Sequence, residues 1–435
     1  MHSTTIFKQV TLTLNPLIKA DNTHFTVALS GGVDSVVLLH LVHALSKQDE
    51  RVSVSAIYVN HGLSEYAQQW QDFCAQLCAK LSVSFQFACV DILPQSRTSL
   101  EAQARDARYT ALDNLAAKNS IILLGQHVND QLETFLLRLK RGSGLKGLGA
   151  MHQTRRLPSG RVCFRPLLNI KRSDIEQFAD KFAISYITDD SNSDEQFDRN
   201  FLRASVVPLL SERFQGFEHC VARSVNLLQQ QQALLDEYTQ TDLIQCLNPD
   251  KALNIQSFKQ FSDIRIANVV RAWIALFSQT MPSQKQLSQL IQQALNAKAD
   301  AQLVIEFSQG QIRRHQGALY FVSNLTIMND SEINSHRVCL NDGRILTLQQ
   351  GPGVRQATEN EQISVRFNCN AARIQPLNKP GSNTLKHWFK DAKVAPWLRA
   401  QIPLIFYNDE LVQVVGYFIS EKHKDENGVY WQCNN

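Results

Sequence analysis

No part of this 435-residue sequence approaches the ~18 consecutive apolar residues that a membrane-spanning helix needs. The opening MHSTTIFKQVTLTLNPLIK has no basic stretch followed by a continuous apolar one, which argues against a secretory signal. The nine cysteines (Cys74, Cys78, Cys89, Cys163, Cys220, Cys246, Cys339, Cys369, Cys433) never form a CxxC pair. Their odd number and scattered spacing exclude a disulfide framework, and buried reduced thiols in a cytoplasmic protein are expected. With 18 glycines and 12 prolines the chain is neither collagen-like nor of low complexity. It carries no GxxxxGK[ST] and no GxGxxG, so two of the common nucleotide loops are excluded.

What remains is the composition of a packed globule, 44% apolar and 19% charged, long enough for about three domains at roughly 150 residues each. The first half alternates. Apolar, β-branched segments at 25–30, 52–60, 83–92, 120–127 and 184–189 are separated by stretches of helical period at 35–47, 65–81, 99–118, 130–141 and 171–182. This rhythm predicts a parallel sheet covered on both faces. A Gly- and Arg-rich insertion, 142–165, interrupts it. From 198 to about 295 the chain is Gln- and Leu-rich with helical period. Short alternating strands with Gly turns follow, and beyond about 332 lies a small α+β region.

Ser30-Gly31-Gly32-Val33-Asp34-Ser35 directly follows the first strand and opens a helix. Glycines let the backbone approach an anion, and the helix start aims its free N–H groups at it. Asp34 would repel phosphate unless a cation lay between them, which points to Mg²⁺ held by Asp34. In GQHVNDQLET, His127, Asp130 and Glu133 lie where a strand gives way to a helix. Asp130 is expected to cap that helix with Glu133 in the capping-box position, and all three would then face the phosphate loop.

The net charge of +4 conceals an uneven distribution. The segment 136–172 holds ten Lys or Arg and no Asp or Glu, so the rest of the chain carries −6. Such a run suits polynucleotide phosphates, with Arg155, Arg156 and Arg161 at its centre. Near the C-terminus cations alternate with aromatics: Lys386, His387, Trp388, Phe389, Lys390, Lys393, Trp397, Arg399. Lys386, Lys390 and Arg399 are the candidate RNA contacts there, whereas Trp388 and Trp397 are equally readable as core.

SGGVDS resembles the PP-loop of N-type ATP pyrophosphatases, and the ordered set YVNHGL, EAQARDARY, GQHVNDQLET, RPLL, DDSN and RNFLR is similar to the tRNA(Ile)-lysidine synthase family. The tail LKHWFKDAKVAPWLRAQIPLIFY resembles that family's C-terminal domain. The resemblance implies a parallel-sheet PP-loop ATPase domain at 1–215, a mainly helical tRNA-contacting domain at 216–328 and a small α+β tRNA-binding domain at 332–435. It implies ATP at Ser30–Ser35 with Asn60 and His61, catalysis by Asp34, Arg105, His127, Asp130 and Glu133, and tRNA contacts from Arg199 and Arg203 besides the cations named above. The substrates implied are ATP, free L-lysine and a tRNA(Ile) precursor with a CAU anticodon. Whether the chain works as a monomer or a homodimer is left open. Two alternatives also stand at this point: another PP-loop tRNA-modifying enzyme with a different nucleophile, and a non-catalytic RNA-binding protein.

Overall fold

A computed structural model of the chain describes residues 1–20, 22–60, 62, 66–90, 100–188, 197–278, 281–296, 303–307 and 309–434. It divides into two compact units, Met1–Glu237 and Tyr238–Asn435.

The first unit contains α1 (Thr5–Leu14), β1 (Thr23–Ala28), α2 (Val33–Gln48), β2 (Val52–Asn60), α3 (Ala67–Leu81), β3 (Ser84–Cys89) and α4 (Leu100–Leu115). Then come β4 (Ile121–Leu123), α5 (Val128–Lys140), α6 (Leu145–Leu148), β5 (Thr154–Arg156), β6 (Val162–Phe164) and α7 (Arg172–Lys181). After it lie α8 (Asp198–Phe201), a π-helical stretch Leu202–Val206, α9 (Val207–Arg213) and the start of α10 (Phe217–Cys246). The strand order is β3-β2-β1-β4-β6-β5. All neighbours run parallel except β5, which turns back on β6. The chain proceeds outward from β1 to β3 and then restarts on the other side with β4. The carboxyl ends of β1 and β4 therefore border the crevice where doubly wound sheets bind ligands.

A parallel sheet buried on both faces needs apolar residues along both sides of its strands and covering helices. Phe25, Val27, Leu39, Leu41 and Val42 are fully buried in the core that packs β1 against α2. Across the sheet, Leu112 of α4 joins Ile122 and Cys163 in a second core. Of the nine cysteines, Cys74, Cys78, Cys163 and Cys246 are buried as expected, but Cys89, Cys220 and Cys339 are exposed. Burial pushes the Cys74 and Cys78 thiols up to about 12, which makes them inert.

Two elements differ from the sequence reading. The segment expected as a fifth strand, 184–189, forms no strand over its described part, 184–188. Its alternation has another cause: Ile184 enters the core, and the Ile187 N–H donates to the Gly31 carbonyl at 2.9 Å. The free edge of β4 is instead taken by β6, so the insertion thought to interrupt the sheet supplies its last two strands.

In the second unit, α11 (Asp263–Ala275) and α12 (Gln284–Asn296) pack with a four-stranded antiparallel sheet, β7 (Leu253–Asn254), β10 (Ala318–Ser323), β9 (Gly310–His315) and β8 (Val304–Phe307) in spatial order. Trp273, Val269 and Ile312 are fully buried in their shared core. The C-terminal part, from Ser331 onward, is built of further small antiparallel sheets and one helix, α13 (Leu385–Asp391). Among the described residues no helix is long and apolar enough to cross a membrane.

Candidate active site

The loop between β1 and α2 is shaped by its glycines and hydroxyls. Gly31 has φ +87°, a conformation that strains any residue with a Cβ, and a Cβ there would lie 2.7 Å from Ile187 Cδ1. The Ser35 hydroxyl donates to the Gly32 carbonyl at 3.0 Å and accepts from the Ser30 N–H at 3.1 Å. Internal bonds thus set the loop's curvature, while the N–H groups of the first α2 turn keep no helical partner. Gly125, just after β4, brings that strand end against α2: a Cβ there would stand 3.2 Å from the Ser35 nitrogen.

Asp34 projects from the first turn of α2. Its Oδ1 is buried with no hydrogen-bond partner, and its Oδ2 accepts from Arg172 Nη1 at 3.2 Å. Burial raises the Asp34 carboxyl above the ordinary aspartate range, against the opposing pull of His127 and Arg172. His127 is the residue that precedes α5. Its Nε2 lies 3.6 Å from Asp34 Oδ1 and 3.4 Å from Asp130 Oδ2. The cap differs from the expected one: His127 takes the N-cap position and Asp130 the third helical position, with Asp130 Oδ2 accepting the His127 backbone N–H at 3.0 Å. Glu133 lies one turn further in and takes no part in the cap.

Glu133 is 1% exposed, and both its oxygens are occupied. Arg199 Nε donates to Oε2 and Arg203 Nε to Oε1, each at 2.7 Å. The same two guanidiniums reach Asp130 Oδ1 at 3.1 Å. Arg199 ends up one turn before Arg203, which lies in the π-helical stretch, a distortion that often marks functional sites. For Asp130, burial works to raise the carboxyl, but His127, Arg199 and Arg203 together outweigh it and hold the group below its usual range. The two buried acids beside the phosphate loop therefore differ, Asp34 held up and Asp130 held down.

Residues 3–210 match the family model of the PP-loop domain, 253–320 the TilS substrate binding domain and 363–433 the TilS substrate C-terminal domain. The tRNA(Ile)-lysidine synthase of Proteus mirabilis is 38% identical over 92% of this chain and 92% of its own. That of Coxiella burnetii is 36% identical over 95% and 93%. The chain belongs to the tRNA(Ile)-lysidine synthase family.

The remaining residues that the family resemblance singled out are placed as follows. Asn60, at the end of β2, accepts the Gly62 N–H on its side chain at 2.8 Å; His61 lies outside the described residues, as does the DDSN segment. Arg105 is exposed on α4, 5.9 Å from the centre of the Tyr109 ring. Arg155, on β5, stacks on the same ring of α4, with its guanidinium 4.1 Å from the ring centre. Arg156 is exposed. Arg161 turns inward: it pairs with Asp113 at 3.1 Å and donates to the Ala117 carbonyl and the Ser120 hydroxyl, with 15% of its side chain exposed. Exchanging Arg156 for Ala is therefore expected to weaken tRNA binding severalfold and flatten its salt dependence, whereas Arg161→Ala is expected to lower the thermal midpoint first. Filter binding against salt, paired with thermal melts, checks both.

In the second unit, Lys386 and Lys390 are exposed on α13, while Arg399 donates to the Val394 carbonyl at 3.0 and 3.1 Å. Trp388 and Trp397 are core residues. Trp388 Nε1 donates to the Ile374 carbonyl, and Trp397 packs on Tyr320 with ring centres 5.3 Å apart. Sequence reasoning passed over Arg172, Tyr109 and Gly125. The first two stood in plain view as a helix-start cation and as the Tyr of EAQARDARY, but nothing local said what each would meet.

Proposed function

We propose that this chain ligates L-lysine to C2 of the first anticodon cytidine of a tRNA(Ile) precursor carrying CAU, using ATP and releasing AMP and diphosphate. The observation that supports it most is the end-to-end similarity to curated lysidine synthases, joined to a phosphate loop whose aspartate has a buried oxygen that accepts no hydrogen bond. The cytidine O2 attacks the α-phosphorus and the bond to the β-phosphate oxygen breaks, so diphosphate leaves. The lysine ε-nitrogen then attacks C2, the C2–O bond breaks with its electron pair going to AMP, and the nitrogen gives up its proton. Adenylation turns a poor leaving oxygen into a good one.

The N–H groups at the α2 start bind and orient the triphosphate. Asp34, with hard oxygen donors and one oxygen that accepts no hydrogen bond, would fit a divalent cation. Mg²⁺ bound there supplies neutralisation of the diphosphate charge. Asp130, held below its ordinary range, is a weak base and a good counter-charge, which suits it to anchoring an ammonium group. Glu133 acts through Arg199 and Arg203, as a positioning residue. The chain's parts divide this work, with 1–215 carrying the chemistry and 216–328 and 332–435 contacting the tRNA.

Incorporation of labelled lysine into a tRNA(Ile) transcript with CAU, dependent on ATP, tests the reading. Pyrophosphate release without lysine incorporation would assign a different nucleophile, and tRNA binding with neither would leave only an RNA-binding protein. A pH profile adds a finer check. Arg172 lowers the Asp34 carboxyl, so Arg172→Ala lets it rise further and leaves more of it protonated at low pH. The acid limb of kcat/KM is expected to move to higher pH, and an unmoved limb would remove Asp34 as the group that must be ionised.

A further inference from the structure

Four guanidiniums converge on one tyrosine beside the site. Arg155 stacks over the Tyr109 ring at 4.1 Å, and Arg105 stands 5.9 Å from its centre. Arg165 Nη2 donates to the Tyr109 hydroxyl at 3.3 Å. Arg108, the residue before Tyr109 on α4, adds a fourth positive charge that acts on the Tyr109 hydroxyl. Arg165 is 3% exposed and spends its remaining donors on neutral acceptors, the Gln126 side chain at 2.9 Å and the His152 carbonyl at 2.7 Å. Among the described residues, none of the four arginines forms an ion pair with an acid.

This arrangement is costly without an anion. Arg165 is buried, and a buried guanidinium crowded by further cations is unfavourable unless an opposite charge joins them. The cost is visible in the neighbours. Burial holds the Arg165 guanidinium below its usual range. Burial also tends to raise the Tyr109 hydroxyl, yet the four arginines outweigh it and bring it down. A phosphate group would meet the forks of several guanidiniums at once.

We propose that Arg105, Arg108, Arg155 and Arg165 around Tyr109 form a phosphate subsite for a backbone phosphodiester of the RNA substrate. The inference rests on the reading of this chain as acting on RNA. Position favours RNA over the nucleotide's own phosphates. Arg165 follows β6, two strands from β1, and at about 4.8 Å per strand that places it ~10 Å along the sheet edge from the triphosphate loop. Arg155 comes from β5, in the middle of the +10 segment.

The test uses the full chain, a synthetic anticodon stem-loop with a CAU loop, and a non-hydrolysable ATP analogue. Arg155→Ala alters a half-buried edge residue, and Tyr109→Phe keeps the ring while removing the hydroxyl contact, so one of them reports even if the other misfolds. Arg155→Ala is expected to weaken stem-loop binding about tenfold and to reduce the salt slope by ~0.7, with the analogue's affinity unchanged. A methylphosphonate at one loop position should cost the wild type the same tenfold and cost the variant nothing more. Unchanged RNA affinity overturns the subsite. A fall in analogue affinity instead would assign the cluster to the nucleotide and overturn it equally. Wild-type protein that binds the stem-loop through this cluster but never incorporates lysine would sink the ligase reading and leave the subsite standing.

Discussion

Asp34→Asn is expected to lower tRNA-dependent pyrophosphate release at least about a thousandfold, while the thermal midpoint stays level or rises. The two halves of that result have one cause. The Asp34 carboxyl is raised by burial, so its ionised form is the unfavourable one in the folded protein, and it costs stability as pH rises through its folded-state value. An amide removes that cost. It also removes the negative charge on the oxygen that accepts no hydrogen bond and that a cation would need. Pyrophosphate release measured beside a thermal melt separates this from simple unfolding. Activity within tenfold of the wild type would show that the loop's N–H groups suffice and that Asp34 is only part of the turn.

Glu133→Ala should give the opposite signature, with loss of structure leading loss of rate. Its carboxylate receives three guanidinium hydrogen bonds at 2.7 to 3.0 Å, and its truncation leaves Arg199 and Arg203 sharing Asp130 alone. Breaking a fully buried pair costs 3–5 kcal/mol, and the partial exposure of both arginines brings the expectation to about 3 kcal/mol. For a unit of this size that lowers the midpoint by roughly 10 °C. Glu133→Gln keeps an acceptor oxygen and should recover part of the loss. If Glu133→Ala melted like the wild type yet lost all activity, Glu133 would be a group that meets substrate directly.

The features legible in the sequence were those whose physics is local. SGGVDS announces itself because a strand end, two glycines and a helix start are contiguous, and the β1 to β3 strands show because each is long enough for apolar residues to stand out. β5 and β6 have three residues each, too few to display any period, so the hairpin that completes the sheet looked like an interruption of it. The 184–189 segment misled for the converse reason. Its alternating apolar residues serve the core and the glycine loop rather than a ladder. Ion pairs were the least legible. Arg172 meets Asp34 across 138 positions of sequence and Arg161 meets Asp113 across 48, and no spacing rule selects those partners from among the other cations of the segment. The count of positive charge was correct there, but which charges face outward was a property of the fold.

β5 has a second consequence. Among the described residues it is the last strand of its sheet and pairs with β6 alone, so one row of its backbone N–H and C=O groups has no neighbour in the sheet. Such a margin invites another polypeptide to add itself, and cationic side chains are a common protection against that. Two of the three residues of β5 are arginines. The two charges proposed to meet RNA therefore also discourage self-assembly into aggregates, and removing both is expected to expose a sticky border.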